Sequence, residues 1–564
     1  MLRLAPWLIT LLLVGPILAG LAMALLPAFG YLPALGGETF SLTPWRELFA
    51  QPGLARSVGI SFASGLVTTA ISLTVVLLFL AGASGSRLDH WIRRMVSPLL
   101  SIPHAAAAFG LAFLIAPSGL LARLASPGLT GWERPPDLLI VQDPWGLSLM
   151  AGLIIKEIPF LLLMSLAALY QLDAERRVAM ARSLGYRPTL AWLKVVVPSL
   201  YPLIRLPVFA VIAYASSVVD VAMILGPTLP PTLAVSILTW FNDPDLSRRF
   251  MASAGALLQL GVTLTALAAW WVLEGMVRRL GRGWVAGGHR RGGEGALRVA
   301  GKALILLAAG TALIGIAGLA LNSLAGFWRF PDGLPQTFTL QHWQRALPSL
   351  AGPVASTLLI ATVSTLLALG LTLAALEHEQ RSGRHPDQGR LLSAMGLLYL
   401  PLIVPQIAFL FGLVVVMESL GSRPTTWLVI FGHLLFVLPY VFLSLSEAYR
   451  RFDPRWSRVA LTLGATPDGA FWRVRLPMLL APVLTAMAVG LAVSIGQYLP
   501  TLLLGAGRVP TVTTEAVALA AGGNRRLIGV WALVQASLPL VGFLIAVGLP
   551  RLLWTHRRGM RGSP

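Results

Sequence analysis

The chain of 564 residues contains no cysteine. That excludes disulfides, thiolate zinc sites, cysteine-held iron–sulfur clusters and a cysteine nucleophile. Lysine is nearly absent: Lys156, Lys194 and Lys302 are followed by Glu157, Val195 and Ala303. A phosphate-binding loop needs Gly-Lys-Ser/Thr to hold phosphates and magnesium, so no P-loop is possible here. No His-Glu-x-x-His occurs, and the eight histidines are scattered. No catalytic, cofactor-binding or metal site is therefore expected, and an intramembrane enzyme lacks a constellation. Charged residues are 12% of the chain, about half the ~25% of soluble proteins, which excludes a soluble enzyme and a disordered chain.

What the sequence does have is apolar surface. Hydrophobic residues make up 56%, and mean hydropathy is +0.76. A net charge of +20 would suggest nucleic acid in a soluble protein. In a bilayer the basic residues instead anchor loops against anionic lipid, so no nucleic acid partner is expected.

A membrane helix needs about 20 mostly apolar residues. Candidate spans fall near 7–29, 57–81, 96–116, 147–170, 199–226 and 252–275, and again near 302–323, 353–376, 394–417, 426–446, 480–506 and 527–550. The first resembles a signal peptide, with Arg3 and small residues around Ala19–Ala24. It is read as retained, because the second set also opens with such a span. With both termini cytoplasmic, most Lys and Arg fall inside, among them Arg176, Arg177, Arg182, Arg455, Arg458, Arg557, Arg558 and Arg561. This follows the positive-inside rule.

The two sets repeat. Thr39-Phe40-Ser41-Leu42-x-x-Trp45 matches Thr337-Phe338-Thr339-Leu340-x-x-Trp343, and Phe109-Gly110-Leu111 matches Phe411-Gly412-Leu413. Gly185, Pro198, Gly226 and Pro231-Thr232 match Gly464, Pro477, Gly505 and Pro510-Thr511 in one constant register. An even span count per half inserts both halves the same way round. The expected fold is an all-α membrane protein of about twelve transmembrane helices in two parallel six-helix repeats. The repeats cover residues 1–280 and 301–564. Between them, 281–300 reads as a flexible basic linker, glycine-rich with Arg282, Arg290 and Arg291. Pro117–Gly146 is extra to the first half.

The loops after the fourth span of each half carry the most information. Asp173 and Asp453 stand where a helix N-cap belongs, Gly185 and Gly464 where a helix ends, and Pro198 and Pro477 follow 13 residues after each Gly. This resembles the "EAA" loop of binding-protein-dependent ABC import permeases, E-A-A-x3-G-x9-I-x-L-P. Gly185 and Gly464 match its Gly, and Val195/Val197/Pro198 and Val474/Leu476/Pro477 match I-x-L-P conservatively. Ala181 and Ala460 match its second Ala. The Glu is absent, with Ala179 and Arg458 in its place, which puts any salt bridge of that Glu in doubt. The resemblance covers essentially the whole chain and looks closest to fused permeases of the thiamine, ferric-ion and Ynj-type importers. It implies the type I permease fold of the bacterial inner membrane, with the loops as coupling helices. Two copies of a separate ABC ATPase would hold ATP and magnesium, and a periplasmic solute-binding protein would dock outside. From the residues alone, the loops also fit amphipathic segments lying on lipid.

Ionisable groups inside spans are costly unless paired or wet. Lys156 and Glu157 lie in the fourth span and Asp220 in the fifth. Their second-half counterparts are Phe436, Val437 and Leu499. Each is a candidate for a solute pathway or for a structural polar tie. Gln497 and Tyr498 are polar candidates on the same interface. His104 and His433 read as interhelical donors. Trp240–Asp245 reads either as a contact for a docked protein or as an interfacial turn. The expected function is import of a small solute by alternating access, with a cation such as thiamine, ferric ion or a polyamine as the candidate. The alternative is an ion-coupled twelve-span secondary transporter with Asp220, Glu157 and Lys156 as relay.

Overall fold

The computed structural model describes residues 2–290, 292–382 and 388–553, with backbone alone at 97 and 388–395. Arg291, Arg557, Arg558 and Arg561 lie outside the described residues. Among those described, every regular element is a helix, and only isolated bridges break the pattern. The first half holds α1 (Ala5–Ala28), α2 (Leu54–Ala83), α3 (Arg87–Ser101), α4 (His104–Ile115), α5 (Leu147–Leu169), α6 (Ala174–Ser183), α7 (Val197–Ser217), α8 (Asp220–Leu225) and α9 (Arg248–Ala286). The second half repeats them as α10 (Glu294–Leu324), α11 (Gln341–Ser382), α12 (Gln388–Ile403), α13 (Gln406–Ser419), α14 (Thr426–Arg450), α15 (Pro454–Thr462), α16 (Leu480–Ile495), α17 (Leu499–Gly505) and α18 (Arg525–Leu553). The repeat extends to detail. A π-helical turn, Trp192–Val196, leads into α7, and its counterpart Phe471–Arg475 lies in the same register before α16.

Among the described residues ten helices are long and apolar enough to cross a membrane, or up to 12 if each bent pair is one span. Four expected spans are broken. The span near 96–116 parts at Ile102-Pro103, both extended. The span near 394–417 bends by 88° at the matching place, where Pro405 follows Val404. Proline pushes the residue before it out of the helical region. The spans near 199–226 and 480–506 break at Val218-Val219 and at Gly496–Tyr498, before the short helices α8 and α17.

The first helices are exchanged between halves. α1 lies on α13, and α10 on α2 and α4. Ala5, Ile9 and Leu13 of α1 sit in the apolar cluster at the base of the second half, and Ile305, Ala308 and Ala309 of α10 in that of the first. The contact explains the repeated Phe-Gly-Leu. A Cβ on Gly110 would stand 2.9 Å from the Gly315 backbone, and a Cβ on Gly412 would overlap the Gly20 carbonyl. Only glycine lets these backbones approach so closely.

The expected flexible linker is corrected. α9 runs to Ala286 and α10 starts at Glu294. Between them His289 and Arg290 are tied down: the His289 carbonyl accepts from Lys194 Nζ at 3.1 Å and the Arg290 carbonyl from the Arg187 amide at 3.3 Å.

Candidate functional site

The four helix breaks, two from each half, meet at one cavity of about 200 Å³. Its wall is formed by residues around Ile102-Pro103, Val219-Asp220, Val404-Gln406 and Gln497-Tyr498. Non-helical backbone at such depth is tolerated where it lines a cavity, and discontinuous helices are the usual frame of transporter sites.

All five sequence candidates reach this cavity: Lys156, Glu157, Asp220, Gln497 and Tyr498. Their roles differ. Lys156 donates to three carbonyls at the end of α3: Leu99 at 3.2 Å, Leu100 at 3.3 Å and Ile102 at 2.5 Å. Its ammonium is thus a C-terminal cap for the broken helix, where a cation also suits the helix dipole. Glu157 meets His104 Nε2 at 3.4 Å, and His104 packs on Tyr214 with the rings tilted by 54° and centroids 4.8 Å apart. Asp220 does not sit inside a continuous fifth span as expected. It opens α8 just after the break and is buried. Gln497 and Tyr498 likewise lie in the break before α17. Tyr214, Tyr399, Tyr440 and Gln406, with Ser101, Ser217 and Ser444, add to the polar lining. Sequence reasoning missed them, and only the X-Pro pairs at 103 and 405 signalled that the spans open there. His433 is satisfied between helices, by Ser494 Oγ at 2.7 Å and Thr501 Oγ1 at 2.8 Å.

The paired loops form a second site. Asp453 caps α15 by accepting from the Arg455 amide at 2.9 Å. Asp173 makes no such bond and is left-handed, φ +46°, which corrects its expected role. Both helices end alike. Gly185 and Gly464 have φ +88° and +87°. The amides of Tyr186 and Ala465 reach back to the carbonyls of Ala181 and Ala460 at 3.2 and 3.0 Å. These are Schellman ends, which favour glycine. Ala181 is buried, Ala460 and Pro477 are half-buried, and Ala179, Arg458 and Pro198 are exposed. The positions of the family's Glu thus face outward. Beside them stand bare apolar side chains: Met180 and Leu184 on one loop, and Trp456, Val459, Leu463 and Trp472 on the other.

The loops are anchored differently. Glu294, at the start of α10, accepts from the amides of Thr189 and Leu190 at 2.8 and 3.1 Å. In the second loop Thr466 caps the same turn from within, at 3.1 Å. Beneath the second loop, buried Glu377 of α11 accepts from Tyr449 and Arg475, and Arg475 donates to Ser457 Oγ at 3.0 Å. The first half has Ala81 at the place of Glu377 in the register of Ser61 with Thr357, Leu169 at that of Tyr449 in the register of Pro159 with Pro439, and Val196 and Val178 at those of Arg475 and Ser457 in the register of Gly185 with Gly464, all within or against its apolar cluster.

Residues 391–549 match the family described as binding-protein-dependent transport system inner membrane component. The inner membrane ABC transporter permease protein YnjC of Escherichia coli (strain K12) is 32% identical over 526 residues, covering 92% of this chain and 93% of that protein. The putative 2-aminoethylphosphonate transport system permease protein PhnV of Salmonella typhimurium is 27% identical over 42% of this chain and 87% of its own length. The molybdenum transport system permease protein ModB of Mycobacterium tuberculosis is 28% identical over 29% of this chain and 68% of its own. With two repeated halves that exchange their first helices, a cavity at their helix breaks and paired Gly-x12-Pro loops, the chain belongs to the binding-protein-dependent inner-membrane permeases of ABC importers.

Proposed function

We propose that the chain moves a small cationic solute inward by alternating access, powered by two ABC ATPase subunits seated on the paired loops. A solute-binding protein delivers the solute at the opposite face, and both termini are cytoplasmic. The observation that carries the energy-coupling reading is the pair of identically ended loops presenting unpartnered apolar side chains. Trp456 is 55% and Leu463 81% exposed beyond the last turn of a span, where a docking protein would cover them.

The cationic reading rests on the cavity. Lys156 is engaged by carbonyls, which leaves Glu157 and Asp220 as its acidic groups, among four tyrosines whose ring faces attract cations. The ion-relay alternative is not favoured, because Lys156 holds helix carbonyls rather than a carboxylate. The chain itself, lacking a P-loop, supplies no ATP hydrolysis, and no enzymatic role is proposed for it.

Co-purification of the ATPase with the full chain, and uptake by proteoliposomes holding both subunits and the binding protein, test this. Leu463→Asp together with Leu184→Asp should abolish ATPase retention. Undiminished retention would defeat the coupling reading. Uptake of an anionic solute, with no organic or metal cation taken up, would defeat the cationic one.

A further inference from the structure

A second cavity, of about 270 Å³, lies at the ends of α4, α10 and α18 remote from the paired loops. Its charge comes from both halves. Arg123 stands on the short helix Leu120–Ala125, in the stretch that only the first half has, and Arg525 and Arg526 open α18. The Ser118 carbonyl accepts both from Arg123 Nε at 3.0 Å and from Arg525 Nη1 at 3.3 Å. Arg123 Nη1 also donates to the carbonyls of Arg329 at 2.9 Å and Asp332 at 3.2 Å, with its guanidinium 4.5 Å from the Trp328 ring. Arg525 lies over Phe113 at 5.9 Å.

Every one of these partners is neutral. Among the described residues, none of the ion pairs within 4.0 Å involves Arg123, Arg525 or Arg526. The Asp332 carboxylate bonds Gln336 Nε2 at 2.8 Å and attracts Arg123 through space less than Arg525 repels it. Two guanidiniums sharing one acceptor repel each other, more strongly away from bulk water. The same place is the start of a 29-residue helix, whose dipole favours negative charge there, with Asn524 Oδ1 already capping the Leu527 amide at 3.3 Å. An anion between the arginines would offset both.

We propose that this cavity binds a phosphate group, either of an anionic lipid headgroup or of free phosphate. Guanidinium forks match phosphate oxygens in paired hydrogen bonds, and the space holds far more than one water. Once bound, the phosphate ties the Leu120–Ala125 helix of the first half to α18 of the second and closes their seam at that end. The site is independent of the transported solute and of the ATPase.

The full chain in detergent decides it, with two probes. Native mass spectrometry reports retained phosphatidylglycerol, and thermal midpoints report inorganic phosphate against chloride at matched ionic strength. Wild type should retain the lipid or show saturable stabilisation by phosphate. Arg525→Gln and Arg123→Gln should each weaken this about tenfold or more, whereas Arg508→Gln, an exposed arginine outside the cavity, should not. Should the Gln variants not fold, Arg525→Lys, which keeps the charge and loses the fork, must still weaken binding. Lipid retention without a phosphate response identifies the headgroup, and the converse identifies the free ion. No saturable response of wild type to either probe, or an equal response in the altered and unaltered cavities, overturns the proposal.

Discussion

Lys156 and Asp220 both line the central cavity, yet removing their charges should have opposite consequences. The Lys156 ammonium serves three carbonyls at the end of α3. Lys156→Met strands them without a donor, at about 1–3 kcal/mol for buried groups. It should lower yield and thermal midpoint while leaving the ranking of transported solutes intact. Asp220→Asn removes an expensive intramembrane charge, so insertion should be spared and uptake should fall. Normal expression with unchanged uptake kinetics would make Asp220 a structural tie. A third residue titrates outside the spans. Burial raises the Asp143 carboxyl, but the amide and hydroxyl of Ser148 and the amides of Leu147 and Trp145 outweigh it and hold it below the usual range. A depressed acid stabilises the fold above its unfolded pKa, and that stability fades as pH falls through the folded one. Asp143→Asn should therefore cost about 1 kcal/mol near neutral pH, as a lost helix cap does. The difference in thermal midpoint should persist down to about pH 4 and shrink only below it. A difference already gone at pH 5.5 would contradict this.

At the scale of elements, the ends of α6 and α15 are set by backbone alone. A Cβ on Gly464 would meet nothing within 4 Å, and one on Gly185 would meet only Arg290 at 3.6 Å. Gly464→Ala and Gly185→Ala therefore test left-handed strain without a clash, about 1–2 kcal/mol. The spans should stay intact while ATPase association and uptake fall, as read by pull-down and vesicle uptake. Full retention of both would show that these loops are not the coupling elements. The anchors beneath them predict an asymmetry. Glu377→Gln leaves buried Arg475 without its carboxylate, a loss of about 3–5 kcal/mol, and should loosen the second loop. The apolar base of the first loop has no such weak point. Protease nicking should appear in α15 and not in α6. These loops were legible in sequence because caps, glycine and proline act within one turn of chain. The cavity was not. Hydropathy averaged over about 20 residues passes across a two-residue break, so 96–116 and 199–226 read as whole spans, although Pro103 and Pro405 marked two of the openings. Glu294 was hidden for a different reason: its glycine-rich surroundings spoke of freedom, while its partners Thr189 and Leu190 lie more than 100 residues upstream.

The whole molecule is two halves that each hold the other's first helix, around the cavity at their helix breaks. That interlock makes the short segment from Gly287 to Gly293 mechanically dispensable for holding the halves together. A protease site placed at Gly288 should be cut without separating them on size exclusion, whereas halves joined only by that segment would part. The purified chain should show no ATP hydrolysis above a no-protein control, since no P-loop lysine exists. The exchange also has a consequence for the order of synthesis. α10 emerges when its partners α2 and α4 are already in the bilayer. α1 precedes its own partner α13 by roughly 400 residues, which is about 20–80 s at ~5–20 residues per second. For that interval the notch at Gly20 of α1 lacks the Gly412 backbone that fills it, although α9 packs on α1 before then. Whatever slows the ribosome between the two lengthens the time in which another chain's helix can take the vacant place.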